Sequence, residues 1–247
     1  MTADSAQDIK YLKAIGRVCA ETLRKMMGAV RAGMTTQELD EIGRAFLEAE
    51  GARSAPQTMY QFPGATCISV SPVIAHGIPN EYVLRNGELI HIDVSAEMDG
   101  YYADTGASMV VSKGERELDK LVDATKAVLA KTLRVAKAGN PLNEIGRTVE
   151  EEARKRGYGV IKDLSGHGIG RQLHEDPREI LNFHNPREHR ILTEGLVLAI
   201  EPFLTTGIGR VVEEKDGWSL RTMDRTIAAQ FEHTIIVTKD EPIILTM

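Results

Sequence analysis

Cysteines, aromatic side chains and long apolar runs are scarce in this 247-residue chain. Its two cysteines, Cys19 and Cys67, are too few for a disulfide framework and favour a reducing compartment. No apolar run approaches the roughly 18 residues that a membrane span requires, and the polar start MTADSAQDIK lacks the apolar segment of a secretory signal. We therefore expect a soluble, cytoplasmic protein that has no membrane partner.

Basic residues are fewer than acidic ones. The chain has 30 Lys and Arg residues against 36 Asp and Glu residues, and no basic patch is interleaved with aromatic residues. Nucleic-acid binding is therefore not expected. A hydrophobic fraction of 42% is ordinary for a globular protein, and a chain of this length buries roughly 70–75% of its unfolded surface. We expect one monomeric domain that spans residues 1–247 and needs no disulfide.

The first fifty residues carry the apolar periodicity of two helices. Apolar residues recur at steps of three and four from Ile9 to Val30, and Gly33 stands where a C-cap is expected. The next helix opens with a capping box, Thr35-x-x-Glu38, and stops near Gly51. We therefore predict a pair of helices at the start of the chain.

A second pair of helices is predicted in the later half. Its first member is the apolar stripe from Leu118 to Leu133, which ends before Gly139. Its second member is NPLNEIGRTVEEEARKRG, with Asn140 as the N-cap, Pro141 as the first helical residue and Gly157 as the terminator.

Strand-like runs follow each pair of helices. The first set is CISVS, ELIHIDV and YYADTGASMVV, and the second is GLVLAIEP, GRVVEE, WSLRT and AAQFEHTIIVT. The segment RAGMTTQELDEIG in the first helical pair is similar to KAGNPLNEIG in the second. This repetition predicts an α+β domain of two pseudo-symmetric halves, roughly residues 9–112 and 113–247.

The stretch HIDVSAEMDGYYADTG is typical of a β-hairpin that carries two carboxylates on one face. A four-residue turn over 97–100 would pair Asp93 with Asp104, whereas a two-residue Asp-Gly turn would pair Asp104 with Ser95. Burial of both ionised groups requires a cation, or one of them must keep its proton. The alternative is a hairpin whose carboxylates both face solvent, although ELIHIDV is too apolar for an exposed edge.

Further acidic and imidazole groups lie in apolar or glycine-rich segments. Glu201 follows the run LVLAI, Glu232 lies within AAQFEHTIIVT, and His167 is flanked by glycines in GHGIG. Each of these alone is typical of a structural residue. Together with Asp93 and Asp104 they supply oxygen and nitrogen ligands that suit two divalent ions of the Mn, Fe, Co or Zn type. Two such ions about 3.5–4 Å apart hold a bridging hydroxide and polarise a carbonyl or phosphoryl group.

The chain resembles the type I methionine aminopeptidases from about Ile9 to its C-terminus. The matching stretches are AHGIP, IDVSAEMDGYYADTG, GHGIGRQLHEDP, IEP and DGWSLRTMDRTIAAQFEHTIIVT. The resemblance implies the pita-bread fold, a pseudo-two-fold antiparallel sheet with helices packed on one side. It also implies removal of the N-terminal methionine from peptides and nascent chains, with a preference for a small second residue.

The resemblance also implies a set of metal ligands. The counterparts of Asp104 and Glu232 bridge two divalent ions, and the counterpart of Asp93 chelates one of them. Those of His167 and Glu201 complete the coordination of the other. Whether the ions are Co, Mn, Fe, Zn or Ni is left open by the sequence.

Catalytic and substrate-binding roles follow from the same resemblance. Glu201 is the candidate general base, His174 would bind the scissile carbonyl or the tetrahedral intermediate, and His76 would contact the backbone near the leaving amide. The pocket for the methionine side chain would be lined by Tyr60, Phe62, Cys67, Leu173 and Trp218. Leu173 departs from the aromatic residue that bacterial members often have there, and Ser71-Pro72 replaces their Asn-Glu.

Two alternative functions stay open at this point. An Xaa-Pro aminopeptidase or prolidase shares the fold and the ligands but usually carries an additional N-terminal domain. A catalytically inactive pita-bread protein would act as a binding module, although such relatives lose metal ligands that this chain retains. The expected partners are methionyl peptides and nascent chains, with a transient ribosome contact.

Overall fold

Across residues 1–112 and 115–247, the computed structural model contains five helices and fifteen strands. The helices are α1 (Ala6–Ala29), α2 (Thr36–Ala49), α3 (Ala55–Tyr60), α4 (Arg116–Leu133) and α5 (Asn143–Lys155). The strands are β1 (Arg53–Ser54), β2 (Cys67–Val70), β3 (Val73–Ala75), β4 (Leu89–Met98), β5 (Tyr101–Val110), β6 (Gly159–Val160), β7 (Ser165–Gly168), β8 (Glu175–Leu181), β9 (Val197–Ile200), β10 (Phe203–Thr205), β11 (Val211–Glu213), β12 (Leu220–Thr222), β13 (Ala228–Gln230), β14 (His233–Ile236) and β15 (Ile243–Ile244). The start of the second predicted half, residue 113, lies outside the described residues. No helix among the described residues is long and apolar enough to cross a membrane.

The first helical pair forms where the sequence predicts it. Thr35 caps α2 through a reciprocal capping box, in which the Glu38 backbone N–H donates to Oγ1 of Thr35 over 3.0 Å. The end of α1 differs from the prediction. Val30 is its C-cap, and Gly33 (φ +87°) lies in the turn that follows the helix.

The start of α5 differs from the prediction. The helix begins at Asn143, three residues after the predicted N-cap. Pro141 pairs with Ile191 in an antiparallel bridge, and the carbonyl of Asn140 accepts a hydrogen bond from the backbone of Leu192 over 2.9 Å. These pairings hold the backbone of Asn140 and Pro141 outside the helix. The predicted N-cap at Asn140 and the first helical position at Pro141 are therefore wrong.

The strands form antiparallel sheets. The largest has the order β15-β14-β9-β7-β8, and a second contains β1-β4-β2 with β5 paired to β4. Two three-stranded sheets, β13-β10-β6 and β11-β12-β3, complete the arrangement. Helix α1 packs on β4 and β5, while α4 packs on β5, β10 and β13. The α+β class with antiparallel sheets and packed helices is confirmed.

Strand β5 is joined to the segment that enters β14 by a series of hydrogen bonds. Thr234 Oγ1 accepts from the backbone N–H of Asp104 over 2.8 Å and donates to the Asp104 carbonyl over 2.7 Å. The backbone N–H of Glu232 donates to the Gly106 carbonyl over 2.9 Å, and Oγ1 of Thr105 donates to the Glu232 carbonyl over 2.9 Å. These bonds fix the position of Glu232 relative to Asp104.

Candidate metal and peptide site

The register of the β4–β5 hairpin decides between the two turns that the sequence allows. Asp99 (φ +55°) and Gly100 (φ +78°) form a two-residue turn, so Ser95 pairs with Asp104 and Asp93 pairs with Gly106. The two carboxylates are therefore diagonal neighbours on one face of the hairpin. The four-residue turn is excluded.

The predicted ligands converge on one buried point. Ligand atoms of Asp104, His167 and Glu232 all lie within 4.8 Å of one another. Nε2 of His167 lies 3.8 Å from Oδ2 of Asp104 and 3.7 Å from Oε1 of Glu201, and Asp93 lines the same cavity. Asp104 is only 6% exposed, so the alternative of a solvent-facing hairpin is wrong.

Two strands of the five-stranded sheet position the remaining ligands. His167 on β7 pairs with Ala199 on β9, and Glu201 follows directly after the last residue of β9. On the other side of β9, His233 at the start of β14 pairs with Ile200. Glu232 therefore enters the site immediately before β14, beside Glu201.

Burial and mutual repulsion raise the pKa values of these acids. Burial first, and neighbouring carboxylates second, raise the pKa of Asp104, Glu201 and Glu232 well above their usual range. Burial also raises the pKa of Asp93 to about 6, while the neighbouring Asp104 opposes that shift. In the absence of a cation, Asp104 is therefore the carboxyl of this pair that keeps its proton more strongly.

The donor set fits a divalent cation. Oδ1 of Asp93, Oδ1 of Asp104 and Oε1 of Glu232 are buried without a hydrogen-bond partner among the described residues. Such oxygens are costly to bury unless something compensates them. Nδ1 of His167 donates to the Gly168 carbonyl over 3.0 Å, which leaves the lone pair of Nε2 toward the carboxylates. Burial lowers the pKa of His167 to about 3, so the ring is neutral, as a metal ligand must be.

The ligands form the floor of a cavity of about 290 Å³. Its lining includes every predicted ligand, catalytic and substrate-binding residue, namely Tyr60, Phe62, Cys67, His76, Asp93, Asp104, His167, Leu173, His174, Glu201, Trp218 and Glu232. Phe62 and Trp218 meet edge to face, with ring centroids 5.2 Å apart. This side of the cavity is therefore apolar, whereas the floor is acidic.

Two predicted histidines lie at the open side of the cavity. The ring of His174 lies 4.2 Å from that of His167, measured between centroids, and Nδ1 of His174 lies 2.7 Å from the Tyr60 hydroxyl. His76 has a left-handed backbone (φ +53°) and is exposed to the cavity. Desolvation lowers the pKa of His174 to about 4 and also lowers that of His76, so both rings are neutral donors or acceptors.

Sequence reasoning missed four residues at or beside this site. Pro56 and Ser95 line the cavity, and the side chains of His91 and Gln230 form a hydrogen-bonded pair next to Glu232. Gln230 lies in the segment AAQFEHTIIVT, two residues before a predicted ligand, which is the signal that could have identified it.

Known proteins that resemble this chain agree with a metal site at this position. The sequence pattern of metallopeptidase family M24 matches residues 10–239. The methionine aminopeptidase 2 of Bacillus subtilis (strain 168) is 48% identical over 247 residues, covering 100% of this chain and 99% of that protein. The methionine aminopeptidase structures from Rickettsia prowazekii and Thermotoga maritima each give a TM-score of 0.95, at 35% and 32% identity, and cover 100% of this chain and 100% and 99% of theirs. The expected pita-bread fold is thereby confirmed, and the chain belongs to metallopeptidase family M24, within its methionine aminopeptidases.

Proposed function

We propose that this chain removes the N-terminal methionine from peptides and nascent proteins whose second residue is small, using two divalent metal ions. The observation that carries the proposal is the convergence of five ligating side chains at the floor of a cavity whose side wall is apolar. Relatives named methionine aminopeptidase, similar over the full length of the chain, support the same substrate.

The metal ions would be held by the five predicted ligands, Asp93, Asp104, His167, Glu201 and Glu232. When bound, two such ions supply Lewis acidity that activates a water molecule and polarises the carbonyl of the first residue. The carboxylates and the imidazole accommodate Co, Mn, Fe, Zn or Ni. A metal pair would also offset the mutual repulsion that raises the pKa values of the acids.

Glu201 is the proposed general base. Burial, followed by the charges of Asp104 and Asp93, raises its pKa well above the usual range for a carboxyl. Once metal ions offset these effects, its ionised carboxylate could take a proton from the attacking water and deliver it to the leaving amine. In support, its Oε1 lies 3.7 Å from Nε2 of His167 at the floor of the cavity, where the scissile bond would lie.

His174 and His76 are the proposed contacts to the reacting peptide group. Tyr60 occupies Nδ1 of His174, so Nε2 of that ring is available to donate to the carbonyl oxygen as negative charge develops on it. His76 lines the same cavity and would hold the backbone on the leaving side. Both act as neutral groups because desolvation lowers their pKa values.

The apolar side of the cavity would bind the methionine side chain. Phe62, Cys67 and Leu173 are buried there, and Trp218 packs its ring against Phe62. An unbranched thioether fits such a lining and makes favourable contacts with aromatic rings. Leu173 therefore completes the apolar wall with an aliphatic group where an aromatic residue is frequent in bacterial members.

The cellular setting is part of the proposal. A cytoplasmic monomer would meet nascent chains as they leave the ribosome, with a transient ribosome contact. The two buried, free cysteines, Cys19 and Cys67, are in keeping with a reducing compartment.

A peptide assay tests the proposed activity against the alternatives. Protein loaded with Mn²⁺ or Co²⁺ is incubated with Met-Ala-Ser and, separately, with an Xaa-Pro peptide. Release of free methionine from Met-Ala-Ser alone is the expected result. Cleavage of the Xaa-Pro peptide in preference would support a prolidase-like function, and turnover of neither peptide would support an inactive binding protein.

A further inference from the structure

A buried amide, the side chain of Gln230, lies between the metal site and His91. Gln230 is the last residue of β13, is 1% exposed and stands two residues before Glu232. Its Nε2 donates to Oε2 of Glu232 over 3.1 Å, and its Oε1 lies 2.6 Å from Nε2 of His91. The amide therefore connects a proposed ligand to a buried imidazole that has no role in the mechanism above.

The chemistry of the amide fixes the direction of this chain of hydrogen bonds. One end of a carboxamide donates and the other accepts, whereas an ionised carboxylate only accepts. The NH₂ group of Gln230 faces Glu232 and its oxygen faces His91, which is the orientation that an ionised, metal-ligating Glu232 requires. Nε2 of His91 consequently carries the proton, and Nδ1 is left buried without a partner among the described residues.

The β4–β5 hairpin provides the space and the anchor for this amide. A Cβ atom at Gly106 would lie 2.7 Å from both Oε1 of Gln230 and Nε2 of His91, so only glycine leaves room for their contact. Ser108, which pairs with His91 across the hairpin, holds the Gln230 backbone through hydrogen bonds of 2.9 and 3.1 Å. The hairpin that carries Asp93 and Asp104 therefore also fixes the position of Gln230.

Gln230 holds one oxygen of a proposed ligand, Glu232. Because Oε2 of Glu232 accepts from the amide, Oε1 is the oxygen that has no partner among the residues described. The orientation of the amide thus determines which oxygen of Glu232 is available to a cation.

We propose that His91 and Gln230 are positioning residues for the metal centre. His91 fixes the orientation of the Gln230 amide, and Gln230 then holds Glu232 with Oε1 available to a cation. The inference rests on the proposed function, because it takes Glu232 to be a metal ligand. Groups that orient metal ligands in this way contribute about 10- to 100-fold to metal affinity.

Titration calorimetry of the metal-free protein with Mn²⁺ tests the proposal. Q230M removes the amide but keeps the length of the side chain, and it should raise the Kd for Mn²⁺ about 10- to 100-fold. H91L removes the donor to the amide and should raise the Kd about 3- to 10-fold, the effect of one hydrogen bond. The matched control is H233L. His233 adjoins Glu232, but its Nδ1 contacts Oγ1 of Thr246, so the Kd should not change.

A double variant separates action through Gln230 from a general effect on folding. If His91 acts through Gln230, adding H91L to Q230M leaves the Kd of Q230M unchanged. Multiplication of the two effects, or a Kd in both single variants equal to that of the parent, would overturn the proposal. A parent protein that binds no Mn²⁺ would instead overturn the proposed function.

Nitrogen-15 NMR of the unmodified protein provides a test that does not depend on whether a variant folds. The long-range spectrum of a histidine ring shows which nitrogen carries the proton. A proton on Nε2 of His91 is the expected result. A proton on Nδ1 would reverse the hydrogen bond to Gln230 and contradict the proposal.

Discussion

The hydroxyl of Tyr60 lies 2.7 Å from Nδ1 of His174 at the open side of the cavity. Tyr60 is the last residue of α3, and the next residue, Gln61, adopts a left-handed conformation (φ +59°) that ends the helix. Desolvation raises the pKa of Tyr60, so its hydroxyl keeps its proton and can donate to Nδ1. When it does, the proton of the imidazole sits on Nε2, where it can be donated to a substrate oxygen.

The first prediction concerns that hydrogen bond. Y60F should lower kcat for Met-Ala-Ser about 3- to 10-fold, the effect of one hydrogen bond, because the His174 ring then populates both tautomers. KM should change less, since the ring of residue 60 remains in place. The control is Y82F, because Tyr82 donates to Glu88 and does not line this cavity. If instead KM rises about 3- to 10-fold and kcat does not change, Tyr60 contributes to substrate binding alone.

Removal of the proposed general base gives the second prediction. E201Q should lower kcat by about 100-fold or more, because proton transfer by a positioned carboxyl contributes at least that factor. The melting temperature should not fall, since a neutral amide replaces a buried acid. The surface variant E194Q should retain the parental kcat, because the Glu194 side chain is 58% exposed and, among the described residues, forms an ion pair with Lys239 alone. Near-parental turnover by E201Q would remove Glu201 from the mechanism.

The raised pKa values predict how the metal-free protein responds to pH. Asp104, Glu201 and Glu232 have pKa values well above their usual range, so the folded chain binds more protons than the unfolded chain. The free energy of unfolding must then decrease as pH rises through the range in which these groups ionise. Buried His167 and His174 act in the opposite direction, but only below their ordinary pKa of about 6.5.

Urea denaturation at pH 7 and pH 8 measures this dependence. We expect the metal-free protein to have the lower free energy of unfolding at pH 8, and Mn²⁺ to abolish the decrease by compensating the ionised acids. A free energy of unfolding that rises over this interval in the metal-free protein would contradict the electrostatic description of the site.

The edge-to-face pair of Phe62 and Trp218 predicts substrate selectivity. W218L should lower kcat/KM for Met-Ala-Ser about 10-fold, because loss of part of an apolar pocket costs roughly 1–3 kcal/mol. The effect should fall on KM and be smaller for Ala-Ala-Ser, whose side chain does not reach the wall. I208A is the control, because Ile208 is exposed outside the cavity. Equal losses on both peptides would exclude Trp218 from the methionine pocket.

Local patterns in the sequence predicted the elements near the site better than their junctions. The capping box at Thr35 and the strands around Asp93 and Asp104 depend on neighbouring residues, and the structure contains them as predicted. The N-cap at Asn140 was wrong because the bridge between Pro141 and Ile191 overrides a local capping preference. A contact between residues fifty positions apart leaves no signal in the local pattern.

In the site, too, features that depend on neighbouring residues were predicted better than contacts between distant residues. The hairpin sequence placed Asp93 and Asp104 on one face but left the turn open, and the backbone angles of Asp99 and Gly100 decided it. The Gln230–His91 contact joins positions 139 residues apart, so it could be found only in the folded chain. The convergence of the ligands was expected from the family resemblance, because spacing along the chain alone cannot establish it.

Anomalous diffraction from crystals grown with Mn²⁺ would locate the bound ions. We expect two anomalous peaks at the floor of the cavity, in contact with carboxylate oxygens of the four acids and with Nε2 of His167. Oε1 of Glu232 and Oδ1 of Asp104 should be among the contacting atoms, because both are buried without partners among the residues described. A map with no peak there, or with Mn²⁺ bound only at other residues, would contradict a metal site formed by these five side chains.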